Sequence, residues 1–133
     1  MSAAPAQLFV ALAEEGLCRG PIAGSVARHY LEPLLTRRAD ASHPDTLVLG
    51  CTHFPVLVEA IRVVAGAEVE IVDSAATTAR HVRLTLESRG LLTSGGAGSV
   101  RLLATDAAER FARVGARFLE RSIGPHEVEL VDL

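Results

Sequence analysis

The chain has 133 residues, the size of one ordinary domain, of which 49% are hydrophobic and 22% charged, with a mean hydropathy of +0.30. That balance supplies enough apolar material for a core and excludes a globally disordered chain. Thirteen basic residues, all arginine, against sixteen acidic ones leave a net charge of -3, which excludes an overall positive field drawing the chain to nucleic acid or an anionic membrane.

The chain opens with LFVALAEEG (8–16), whose apolar part, Leu8 to Leu12, is too short to be a clear strand and runs straight into Glu14, Glu15 and Gly16. The sheet is therefore expected to be incomplete at its start. Pro21 is suited to a first helical turn, and Ile22, Val26, Tyr30, Leu31 and Leu34 form a helical stripe that Pro33 should bend or end. Thr36 to Pro44 reads as a polar loop. Thr46 to Leu49 has the short apolar run of a strand buried on both faces, and Gly50 ends it. After the turn Cys51-Thr52-His53, Pro55 opens a helix with Val58, Ile61 and Val64 on one face, and Gly66 closes it.

Val69 to Val72 is the next predicted strand. Ser74 is a predicted cap for a helix whose apolar face is Ala75, Ala79, Val82 and Leu86, with Gly90 as its stop. The run TSGGAGS (93–99) precedes a strand instead of joining a strand to a helix, so it reads as a linker and not as a phosphate cradle. A strand from Val100 to Ala104, a helix with Phe111, Val114 and Phe118 on one face, and a short strand from Glu127 to Val131 complete the chain. This alternation predicts an α/β fold with a mainly parallel sheet flanked by helices, whose ligands bind beyond the carboxyl ends of the strands. The predicted organisation is 8–90, a connector at 91–99, and a strand-helix-strand segment at 100–133.

Cys51 falls at such a place, where a strand ends and a helix is about to begin. A helix start favours a thiolate, and backbone N–H groups near Thr52 and His53 can hold a carboxylate. Imidazoles titrate near neutrality, so His53 is suited to proton transfer beside the thiol. Glu14 and Glu15 end an apolar stretch where the chain turns, either facing a cleft or simply solvated. Cys18, in LCRG, has no histidine near it in sequence and reads as structural. Both cysteines are expected to stay as thiols in a reducing compartment. His29, His43, His81 and His126 have no partner at metal-binding spacing, so no metal is predicted. No apolar run approaches the roughly 20 residues of a membrane span, and no secretory signal pattern stands at the N-terminus, so no membrane role and a cytoplasmic setting are expected.

The run DTLVLGCTHFPVL (45–57) closely resembles the second cysteine motif of bacterial glutamate racemases. The likeness continues in register through LFVALAEEG (8–16), GPIAGSVARHYLEPLL (20–35), VDSAATTAR (72–80) and RFLERSIGPHEVELVDL (117–133). The resemblance implies a cofactor-independent enzyme that interconverts L- and D-glutamate for peptidoglycan, with two related α/β domains and a catalytic cysteine on each. It implies that Cys51 is the second catalytic thiol, Thr52 a substrate-binding neighbour, His53 the histidine that assists the thiol, and Glu14 the acidic residue assisting from the same domain. The first cysteine motif and the Asp-Ser pair of the family are not found here, and Cys18 does not match them. Ala6-Gln7 and Thr105-Asp106 depart from the family pattern in local loops.

The resemblance thus implies a C-terminal fragment or split product carrying one half-site. Its expected partners are glutamate and either the missing N-terminal half or a second copy. A symmetric pair would supply His53 twice and the Asp-Ser pair never, so the chain alone is expected not to racemise glutamate. Two other readings are a noncatalytic interaction module and a one-thiol decarboxylase of the same superfamily.

Overall fold

The computed structural model describes residues 3–36, 43–96 and 98–132. Most of the polar loop expected between Thr36 and Pro44 lies outside them. The chain divides into two compact units, Met1–Gly90 and Leu91–Leu133.

In the first unit, helix α1 (Gln7–Glu15) is followed by α2 (Gly20–Leu35), strand β1 (Thr46–Leu49), a 3-10 turn (Phe54–Leu57) leading into α3 (Val58–Ala65), strand β2 (Glu70–Asp73) and α4 (Ser74–Ser88). The opening apolar stretch is helical, because its buried residues, Phe9, Leu12 and Ala13, recur at helical spacing. Gly16 ends α1 in the left-handed conformation, φ 78°, which its lack of a Cβ permits. Proline does not stop α2 at Pro33. The helix runs two residues further, since a proline so near the carboxyl end removes little hydrogen bonding. The face of α2 that meets the core is also displaced from the expected stripe: Ala23, Ala27 and Leu31 are buried, whereas Ile22 is exposed. Small side chains at that face let neighbouring helices approach closely.

β1 and β2 pair in parallel, with Leu49 opposite Asp73, so their carboxyl ends lie side by side. β1 is not buried on both faces. Leu49 is buried, but Val48 is 69% exposed. Among the described residues the sheet holds only these two strands, so one face and one edge of β1 lack the covering that a larger parallel sheet would give. The loop from α3 to β2 is held by Arg62, whose guanidinium donates to the carbonyls of Gly66, at 3.0 Å, and of Val69. The start of α4 is capped by Asp73 and not by Ser74. The Asp73 carboxylate accepts from the Ala76 N–H at 2.8 Å, which places Ser74 inside the helix. No residue of α4 is buried; Ala75, Ala79 and Val82 of the expected apolar face are exposed and Leu86 is partly covered. The core gathers Phe9, Leu12, Ala27, Leu31, Leu49, Leu57 and Ile61, with Leu57 and Ile61 fully enclosed.

In the second unit, β3 (Leu102–Ala104) and β4 (Val128–Leu130) pair in parallel, with α5 (Ala108–Phe118) connecting them ahead of a short 3-10 turn (Pro125–Glu127). Its core is small: Leu102, Ala112 and Val128 are buried, with Phe111 and Ile123 packed against them. Of the three residues expected to share the apolar face of α5, Phe111 and Val114 are partly buried while Phe118 is exposed. The expected α/β fold with parallel strands flanked by helices is found, the strands among the described residues forming two parallel pairs.

Candidate functional site

Gly50 ends β1 and the chain turns through Cys51, Thr52 and His53, where the Phe54 N–H donates to the Cys51 carbonyl at 3.1 Å. Pro55 stands at an early position of the following 3-10 turn, so the turn enters a helical segment directly. The turn therefore sits at the carboxyl end of the parallel pair, the position from which open α/β sheets present side chains to ligands.

Three of the four expected site residues are brought into line. The Cys51 Sγ lies 3.8 Å from His53 Nδ1. The other ring nitrogen of His53, Nε2, lies 3.1 Å from Glu14 Oε1, although Glu14 belongs to α1. Both side chains of this ion pair are about a quarter exposed, at 27% for His53 and 25% for Glu14. Nε2 donates its proton to the carboxylate, so Nδ1 faces the thiol. That arrangement lets the ring accept a proton from the thiol or share one with a thiolate, with the carboxylate orienting the imidazole. The fourth residue, Thr52, is exposed at the tip of the same turn. Glu15, next to Glu14, is also exposed.

Cys51 also borders a cavity of about 550 Å³ walled mainly by hydrocarbon, including Phe9, Tyr30, Leu34, Val48 and Phe54. Among the described residues no arginine or histidine lines it, so they offer no counter-charge to a carboxylate there. Cys18 does not line that cavity; its thiol is partly buried and donates to the Leu12 carbonyl at 3.9 Å. Among the described residues, no group of three histidine, cysteine or acidic side chains is placed to hold a metal ion, and no helix is long and apolar enough to cross a membrane.

Sequence reasoning missed the aromatic clasp behind the turn. Phe9 meets Tyr30 edge-on at a centroid distance of 5.4 Å and Phe54 at 5.3 Å. The available signal was scarcity: the chain has four phenylalanines and one tyrosine, and three of these five rings converge beside Cys51.

Fold and site together define a unit of the parallel α/β class in which a strand-end thiol is aligned with an imidazole and a carboxylate. In sequence and in fold, this unit is similar to the C-terminal half of glutamate racemases. A glutamate racemase of Thermus thermophilus is 42% identical over 127 residues, covering 95% of this chain and 46% of that protein. That of Acidothermus cellulolyticus is 42% identical over 118 residues, covering 87% of this chain and 43% of that protein. Among solved structures, glutamate racemase from Thermus thermophilus in complex with beta-chloro-D-alanine matches with a TM-score of 0.77 at 41% identity, covering 96% of this chain and 46% of that one. The Francisella tularensis enzyme in complex with D-glutamate matches with a TM-score of 0.74 at 30% identity, covering 96% of this chain and 45% of that one. The chain spans about half the length of the relatives it matches. No protein-family model matches it.

Proposed function

We propose that this chain carries the second half-site of a cofactor-independent glutamate racemase acting in the cytoplasm, with Cys51 as its proton-transfer group. The observation that supports this reading most directly is the line of Cys51, His53 and Glu14 at the carboxyl end of β1. Inversion at an α-carbon breaks the C–H bond on one face and forms a new one on the other, so it needs a base and an acid on opposite sides. In this reading the Cys51 thiolate takes the α-proton from one enantiomer, leaving the electron pair delocalised into the carboxylate. A thiol on the missing half returns a proton to the opposite face. In the reverse direction Cys51 is the donor. His53 exchanges a proton with Cys51 at Nδ1, Glu14 holds the ring for that exchange, and Thr52 binds substrate at the turn.

One half-site has one such thiol, so the isolated chain is expected to leave glutamate unracemised. A second reading, as an interaction module, is favoured by exposed apolar side chains on the first unit, Val48, Val63 and Val82 among them. The two readings meet if the partner is the missing N-terminal half. The test is to mix the chain with a separately produced N-terminal half of a glutamate racemase and follow D-glutamate formation from L-glutamate. The expected result is activity only in the mixture, abolished by Cys51→Ser. Association without activity would leave the interaction reading and reject the catalytic one. Failure of the halves to associate would reject the shared reading. Carbon dioxide released from an aryl malonate, and lost with Cys51→Ala, would favour the one-thiol decarboxylase.

A further inference from the structure

We propose that Tyr30 is a positioning residue for this site: its hydroxyl caps helix α1 from a distance and thereby holds Glu14 against His53. The inference rests on the half-site reading above and assigns a role to a residue that touches none of the reacting groups.

Helix α1 is packed through Phe9, Leu12 and Ala13 and closed by Gly16, but its start has no side-chain cap within its own segment. It is nine residues long, and its N-cap, Ala6, has no side chain that can accept a backbone N–H; nor does an acidic residue stand in its first turn. A helix of that length is marginal without tertiary support, and its first N–H groups have no partners within the helix. The Phe9 N–H returns to the Ala6 carbonyl at 3.1 Å. The Leu8 N–H is instead taken by the Tyr30 hydroxyl oxygen at 3.2 Å, a cap supplied from 22 residues away on α2. The same tyrosine ring packs edge-on against buried Phe9, at 5.4 Å and 64°. Phe9 in turn packs against Phe54, at 5.3 Å and 81°. Phe54 directly follows His53.

Tyr30 thus grips α1 by a backbone group and a side chain, and Phe9 joins that grip to the turn bearing the histidine. Glu14 lies further along the same short helix. Sliding a helix by one residue displaces it by about 1.5 Å, whereas N–H···O hydrogen bonds span only about 2.7–3.2 Å. A 3.1 Å contact between Glu14 and His53 therefore has little tolerance for movement of α1. The hydroxyl at one end of the helix sets the reach of the carboxylate at the other.

The test uses the full chain and Tyr30→Phe, which keeps the ring and removes the hydroxyl. Alkylation of Cys51 by iodoacetamide is followed across pH by peptide-resolved mass spectrometry, with an added unstructured cysteine peptide as control, since Cys18 itself bonds to α1 through the Leu12 carbonyl. The expected result is a fall of about threefold to tenfold in the Cys51 rate at neutral pH, with a rate-pH profile that differs from the parent's and the control peptide unchanged. Adding Y30F to E14Q should produce no further fall, because the carboxylate through which Tyr30 acts is already gone. A Y30F profile that superimposes on the parent, or a full additional loss on the E14Q background, would overturn the proposal. Hydrogen exchange at the Leu8 amide of the unsubstituted chain tests the cap even if Y30F folds poorly; protection is expected, and exchange at the free-peptide rate would also overturn it. Neither readout requires glutamate or a second half, so failed complementation and a failed Tyr30 test are separate outcomes.

Discussion

The Nε2 of His53 lies 3.1 Å from Oε1 of Glu14, a residue 39 positions earlier in the chain, while Nδ1 of the same ring faces Cys51. The ring is thus held at both nitrogens, and the carboxylate end of that line is the part most open to a conservative test. Replacing Glu14 by Gln keeps the shape and removes the negative charge facing His53 Nε2. Alkylation of Cys51 at neutral pH should slow by about tenfold, less than the hundredfold or more of a full acid or base because Glu14 acts only through His53. An unchanged rate would mean that Glu14 only packs there.

Leu57 and Ile61 are the best-enclosed large side chains beneath the turn, both fully buried. Truncating either to Ala leaves a cavity, which costs about 2–5 kcal/mol in a core of ordinary packing. Urea denaturation followed by circular dichroism should report that loss. A change below about 1 kcal/mol would indicate that the core collapses onto the space.

Asp73 ends β2 and caps α4 through its bond to the Ala76 N–H. Asp73→Ala should destabilise the first turn of α4 by about 1 kcal/mol, and Asp73→Asn should retain most of the cap. Amide exchange at Ala76 reads this directly, with faster exchange expected in the alanine variant. Because α4 buries none of its residues, little tertiary packing is available to conceal the effect.

In the second unit, the Gly124 N–H and then the Arg121 guanidinium hold the Glu127 carboxyl below its ordinary value of 4.5, at 2.7 and 3.0 Å respectively. A carboxylate with a lower pKa in the folded chain adds stability that is fully present above its unfolded pKa and is lost as pH falls through the folded one. The melting temperature of the parent chain should therefore exceed that of Glu127→Gln near pH 7, and the gap should narrow below pH 4.5. A gap that persists unchanged to strongly acidic pH would assign the difference to packing.

The local features of the site were legible in the sequence because they depend on neighbouring residues. An apolar run ending at Gly50, a short polar turn and a proline at its exit place Cys51 at a strand end whatever surrounds it. Gly16, Gly66 and Gly90 adopt positive φ angles near the ends of their helices for the same local reason. The resemblance carried by LGCTHFP also pointed to Glu14, but no spacing rule brings residue 14 to residue 53. That meeting is made by α1 lying against the turn, through Phe9 and Phe54, which are distant in sequence. Burial likewise waited on the tertiary structure. Val48 looks like a core residue in its strand, yet it is exposed because no further strand or helix among the described residues covers it; Ala23 and Ala27 look unremarkable and are completely buried because α2 meets its neighbours along that face. Periodicity determines which side chains share a face of an element, but which face is covered depends on long-range packing, and in this chain that packing also brings Glu14 to His53.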